Sequence, residues 1–186
     1  MLYILEGLPG GGKTSIISSL KAKHKIPAVD QIIYHDQYSD EPLNYYLYSD
    51  LMKYRNAGRL LIDSQKVIMD RGYISSLAYN YSSDRLLKSG RYSKAKNIYH
   101  KFDSVFNFEI RYLLIDVNIE DSIKRKRESE QNDYIWYNKG FLSYMKEFYE
   151  KEILNFVDER HIKRIGNNLS LSDVFGEVER FIYGAE

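Results

Sequence analysis

Three unbroken apolar or β-branched runs punctuate the chain: Leu2 to Leu5, Lys66 to Met69 (KVIM) and Arg111 to Val117 (RYLLIDV). Each is followed by a segment with helical spacing. Strands buried on both faces read as continuous apolar runs rather than as alternation, so these three predict the interior of a parallel sheet. Gln31 to Tyr34 and His161 to Ile165 are weaker strand candidates that bring the expected count to about five. Between Pro42 and Ile62, Leu43, Leu47, Leu51 and Tyr54 recur at helical spacing, with Gly58 placed to close the helix before Leu60. Asn118 predicts an N-cap for a further helix, with Asp121 as its partner three residues on. Over 140–157, Phe141, Met145, Phe148, Ile153 and Phe156 form one helical stripe. After Ser172, Val174, Phe175, Val178, Phe181 and Ile182 predict a last helix that leaves Glu177 and Glu179 to solvent. Strands alternating with helices predict an α/β fold with helices on both faces of the sheet. No repeat or linker divides the chain, so one domain over 1–186 is expected.

Composition narrows the range of partners. With 27 basic against 26 acidic residues the net charge is only +1, which gives no electrostatic footprint for sequence-independent nucleic-acid binding. A small molecule is the expected partner. Cysteine is absent and the four histidines are scattered, which excludes disulfides and thiolate metal sites and fits a reducing cytoplasm. Met1 to Leu5 has no basic leader or long apolar stretch, so neither a signal peptide nor a membrane span is expected.

The chemistry begins where the first strand ends. Gly7-Leu-Pro-Gly-Gly-Gly-Lys-Thr14 matches G-x-x-x-x-G-K-[ST] between a strand and a helix that starts at Ser15. Gly7, Gly10, Gly11 and Gly12 lack a Cβ, so with Pro9 they form a loop whose amides can approach phosphate oxygens, while the helix N-terminus, from Ser15 on, adds partial positive charge. Lys13 would reach the β- and γ-phosphates of ATP, and the Thr14 hydroxyl would hold Mg2+. The match predicts a three-layer P-loop NTPase fold, and leaves kinase and plain NTPase open.

The strand KVIM leads into Asp70-Arg71-Gly72-Tyr73-Ile74-Ser75-Ser76-Leu77-Ala78-Tyr79-Asn80. A carboxylate and a guanidinium at the carboxyl end of a parallel strand face the same crevice as the P-loop. Asp70 could accept a hydroxyl proton or hold Mg2+ through water; Arg71 offers a planar fork for an acceptor phosphate. The bland alternative is an Asp–Arg pair capping the strand. E-G-L-P-G-G-G-K-T and M-D-R-G-Y-I-S-S-L-A-Y-N resemble the E-G-x-x-G-x-G-K-[ST] and D-R-Y-x-x-S-x-x-A-Y-Q motifs of the thymidylate kinase and deoxynucleoside kinase superfamily. L-L-I-D-V-N-I-E-D-S-I-K-R-K-R is similar to that family's strand, helix and arginine-bearing lid. The resemblance implies an ATP-dependent phosphotransferase with a lid over about 125–135, in which Arg125 and Arg127 close on the transferring phosphates and Asp70 and Arg71 serve the acceptor, a nucleoside monophosphate or nucleoside. It also implies a possible homodimer. Lys124 to Arg127 followed by polar 128–133 reads independently as a helix ending in a charged loop, whose cations would stabilise a phosphoryl transition state or simply lie in water. Pro9, Gly72, Asn80, Tyr134 and Trp136 depart from the family pattern, which leaves thymidylate as one acceptor among several.

Asp36 and Glu41, after the second candidate strand, would serve as base for an attacking hydroxyl or would cap the next helix. Glu41-Pro42 is similar to the Glu-Pro of deoxynucleoside kinases, and the Asp36 segment resembles that of uridine and nicotinamide riboside kinases. Tyr34, Tyr38, Tyr45, Tyr46 and Tyr79 could stack on a base. Arg85 and Arg91 would bind an acceptor phosphate or face water. A plain NTPase or switch, and a kinase of a nucleic-acid end, a modified base or another hydroxyl, stand as alternatives.

Overall fold

A computed structural model describes residues 1–30, 42–102, 106–128, 134–166 and 170–184. Its centre is β1 (Leu2–Glu6), flanked in a five-stranded parallel sheet by β3 (Val67–Asp70) and β4 (Ile110–Ile115), with β2 (Ala28–Val29) and β5 (Ile162–Ile165) at the edges in the order β2-β3-β1-β4-β5. Every residue of β1 and β3 is buried because helices cover both faces. β5 is different: Lys163 and Arg164 at its middle are exposed.

Alternation along β1 divides the core. Tyr3 and Leu5 pack with α1 (Lys13–His24) and α7 (Leu171–Tyr183), through Ile16, Ile17, Leu20, Val174, Val178 and Ile182. Leu2 and Ile4 face the opposite layer, made from α2 (Pro42–Asp63), α3 (Tyr73–Leu87), α4 (Arg91–Phe102) and α6 (Lys139–Glu150). The period of two along a strand therefore puts Glu6 on that second face. α5 (Ile119–Glu128) follows β4. Asn118 caps it as the sequence predicts, accepting from the Asp121 amide at 2.7 Å.

Several sequence expectations are corrected. Gly58 does not close α2, which continues to Asp63; the Phe108 ring lies 3.4 Å from where a Cβ would stand, so the glycine serves a close approach. The stripe over 140–157 is not one helix. α6 ends at Glu150, where the Arg164 guanidinium donates to the carbonyls of Tyr149 and Glu150 at 3.0 and 3.4 Å, and a 3₁₀ turn follows over Glu152–Asn155. The last helix starts at Leu171 with Ser170 and Asp173 as a capping box, and Glu179 is not left to water: it pairs with Lys23 at 2.7 Å and with His24. The strand expected over Gln31 to Tyr34 lies outside the described residues, and the strand seen beside β3 is Ala28–Val29. No helix among the described residues is long and apolar enough to cross a membrane.

Candidate functional site

A cleft of about 590 Å³ opens at the carboxyl ends of β1, β3 and β4. This is where the strand order reverses: β1 has β3 on one side and β4 on the other, and ligands of open α/β sheets bind at such a switch point. Pro9, Gly10, Gly11, Gly12, Lys13, Thr14 and Ser15 line one wall, Asp70 and Arg71 a second, and Arg125 with Lys126 a third. Leu171 and Val174 supply an apolar end.

The loop is built to lie close to its neighbours. Gly7 has φ 125°, and a Cβ there would stand 2.2 Å from the carbonyl oxygen of Ile115, so no other residue fits between β1 and β4. Gly12 takes the left-handed conformation as N-cap of α1 and has no side chain to offer, so no side chain caps the helix and its first-turn amides face the cleft. The Lys13 ammonium donates to the carbonyls of Leu8 and Gly7 at 2.7 and 3.2 Å. It is 5% exposed. Burial, reinforced by the nearby Arg71 charge, holds it well below the ordinary lysine range, with Asp70 and Glu6 opposing and Lys126 adding to the repulsion.

Thr14 Oγ1 donates to Asp70 Oδ2 at 2.9 Å. Arg71 donates through Nη1 to the Gly7 carbonyl at 3.0 Å and to Ser75 Oγ at 2.9 Å. The phosphate loop and the Asp-Arg pair thus share one cleft. The Thr14–Asp70 pair is two hard oxygen ligands in contact, which fits Mg2+, a cation that takes one or two protein oxygens and completes its shell with phosphates and water. No cluster of three or more acidic, histidine or cysteine side chains exists among the described residues, and such a site does not require one.

The lid arginines separate. Arg125 lies on the cleft and donates to the Gly10 carbonyl at 3.0 Å. Arg127 instead places its guanidinium 5.8 Å from the centre of the Tyr137 ring. Lys126, which the sequence offered only as one of the run of cations Lys124 to Arg127, lines the cleft; helical spacing put it and Arg125 on adjacent faces without saying which would look inward. Ser122 fixes α5 to the loop by donating to the Pro9 carbonyl at 2.7 Å. Asp36 and Glu41 lie outside the described residues, as do 129–133 of the lid segment. Tyr79 packs edge-on against Phe141 and Trp136, with centroids 5.2 and 5.8 Å away, as part of the core. Arg85 is bound to the Tyr81 hydroxyl at 3.0 Å.

Glu6, the glutamate that opens the E-G-L-P-G-G-G-K-T stretch, was given no role from the sequence. It is fully buried and accepts from the Gly72 amide at 2.8 Å and from the Ser75 hydroxyl. Its position as an acid at the end of an otherwise apolar, two-face-buried run was the available signal. Further along α2, Asp50 and Lys53 are also buried, 3.5 Å apart, with Ser76 donating to Asp50.

No protein-family model matches the chain, and no curated protein matches it in sequence. Solved structures do. A deoxyadenosine kinase from M. mycoides with products dCMP and a flexible dCDP bound superposes with TM-score 0.70 at 12% identity, covering 100% of both chains. The fold is that of the P-loop nucleoside and nucleotide kinases. The M. mycoides deoxyadenosine kinase with bound dATP aligns at TM-score 0.66 and 13% identity over 97% of this chain and 98% of that one. Thymidylate kinase from Candida albicans aligns at TM-score 0.61 and 16% identity over 97% and 90%. At these identities the likeness of this P-loop kinase fold concerns the backbone path, and the roles of its side chains rest on the geometry above.

Proposed function

We propose that the chain is an ATP-dependent phosphotransferase that moves the γ-phosphoryl group to a small acceptor, a (deoxy)nucleoside monophosphate or a (deoxy)nucleoside. The observation that carries this reading is the meeting of two walls: Lys13 and Thr14 of the phosphate loop stand in one cleft with Asp70 and Arg71, joined by the 2.9 Å Thr14–Asp70 hydrogen bond. The kinase folds to which the chain is similar support the same class.

In this reading the loop amides and Lys13 hold the polyphosphate, and the Lys13 ammonium leaves the carbonyls of Gly7 and Leu8 to do so. Thr14 and Asp70 would hold Mg2+, which neutralises charge on the β- and γ-phosphates when bound. Arg71 holds the acceptor, and Arg125 with Lys126 closes on the equatorial oxygens of the transferring group. The bond from the γ-phosphorus to the β-phosphate bridging oxygen breaks, a bond to the acceptor oxygen forms, and ADP leaves. Most of the rate would come from orientation and placed positive charge. A monophosphate oxygen is already anionic and needs no base. A nucleoside hydroxyl must lose a proton, for which Asp36, Glu41 or Asp70 is the proposed base. The chain is taken as one P-loop domain, acting in a reducing cytoplasm.

An ATP-consumption screen across nucleosides, nucleoside monophosphates and small alcohols, with an acceptor-free control, tests the reading. Acceptor-dependent ADP formation that disappears in Lys13→Ala is the expected result. ADP formation at the same rate without any acceptor would sink the kinase assignment.

A further inference from the structure

Glu6 has no role in the chemistry proposed above, yet its setting is costly to build. Its side chain is wholly buried on the α3 and α6 face of the sheet, and a carboxylate removed from water persists only where donors surround it. The Gly72 amide donates to Oε1 at 2.8 Å, the Ser75 hydroxyl donates to Oε2, and the Tyr149 hydroxyl lies 3.2 Å from Oε2. These donors come from the turn that bears Arg71, from the first turn of α3, and from α6.

The turn needs holding. Arg71 has φ 59°, in the left-handed region that residues with a side chain adopt only when neighbours impose it. Its own amide donates to the Leu5 carbonyl at 3.1 Å, beside Glu6 in the chain. Its guanidinium donates to Ser75 Oγ at 2.9 Å, the same hydroxyl that donates to Glu6. Tyr149 is fixed in turn, since its carbonyl takes a hydrogen bond from Arg164 of β5 at 3.0 Å.

We propose that Glu6 is a positioning residue of the acceptor side: by gripping Gly72 and Ser75, its carboxylate holds the left-handed turn that aims Arg71 into the cleft. The proposal rests on the reading of Arg71 as a ligand of the acceptor. Glu6 is not among the residues that line the cleft, and its hydrogen bonds act through the turn that carries Arg71, while its charge also reaches Lys13. Its loss therefore shows more in acceptor binding than in ATP binding, and shows nothing further in acceptor binding once Arg71 is gone.

A double-mutant cycle on the full chain tests this, with Glu6→Gln, Arg71→Ala and the pair, assayed with dTMP, dCMP and deoxyadenosine as acceptors. Glutamine keeps the shape and a carbonyl for the Gly72 amide while removing the charge. Glu6→Gln is expected to raise the acceptor KM roughly tenfold with the ATP KM changed far less, and the double variant to have an acceptor KM no worse than that of Arg71→Ala. A raised acceptor KM in Arg71→Ala beside an unchanged one in Glu6→Gln, or effects of the two that multiply, overturns the role of Glu6 and leaves that of Arg71 standing. An Arg71→Ala enzyme with normal acceptor KM, or no transfer to any of the three acceptors, removes the reading of the site and this proposal with it. Ser75→Ala takes away the shared contact and with it one donor to the buried carboxylate: a raised acceptor KM supports the proposal should Glu6→Gln not fold, and an unchanged one overturns it.

Discussion

At the scale of single residues the site is organised around charges held in unfavourable places. Lys13 is buried among backbone carbonyls with Arg71 and Lys126 near it, so it releases its proton more readily than an ordinary lysine. A bound polyphosphate supplies the missing counter-charge and pushes its pKa back up. In the proposed function, ATP binding is therefore accompanied by proton uptake. Titration calorimetry in two buffers of different ionisation heat measures it, and Lys13→Met should abolish the difference between buffers. The motif residues were legible because each answers to a geometric demand visible in one dimension: glycines where backbone meets phosphate, a lysine and a threonine at fixed offsets. Glu6 was not, because its partners Gly72, Ser75 and Tyr149 are brought to it only by the closed sheet and the packing of α3 and α6 on it.

Elements were readable in proportion to how continuously apolar they are. β1, β3 and β4 lie within a residue or two of where the runs predict them. β2 is only Ala28–Val29 and carries too little pattern to be found. α4 was missed altogether: over 91–101, where its side chains are described, it buries only Ala95 and Tyr99, and its start is set by a residue of the previous helix. Asp84, near the end of α3, accepts from the amides of Arg91 and Tyr92 at 2.8 and 2.9 Å and from the Ser89 hydroxyl, which is the service an N-cap performs. Burial tends to raise its pKa, but these hydrogen bonds together outweigh that and leave it lowered. A depressed carboxyl stabilises the fold above its unfolded value and loses that contribution as pH falls through the folded one. Asp84→Ala should accordingly cost about 1 kcal/mol near pH 7 in a denaturant titration, and the gap to the parent protein should narrow on acidification below the ordinary Asp range.

For the whole molecule, the position of the cleft follows from chain order. Only a path that runs β1, β2, β3 on one side and then crosses to β4 on the other opens the crevice beside the central strand, and the α/β alternation in the sequence made that arrangement legible. The sequence could not say how α5 would lie across it. Anchored by Ser122 on the Pro9 carbonyl, the helix turns Arg125 toward the phosphate loop and leaves Arg127 against Tyr137. In the proposed reaction Arg125→Ala should lower kcat by roughly 10²-fold or more, whereas Arg127→Ala should change it by less than about threefold, as steady-state assays would distinguish. An Arg127 variant as damaged as the Arg125 one would mean that the lid rearranges on closing. The border of the sheet also limits how copies of the chain can meet. Along the outer strand β5, Lys163 is exposed while Arg164 is tied to the carbonyls at the end of α6, and a lysine on an edge strand disfavours pairing with the matching border of a second molecule. Continuous cross-chain β-ladders through that border are thereby disfavoured, even at high concentration.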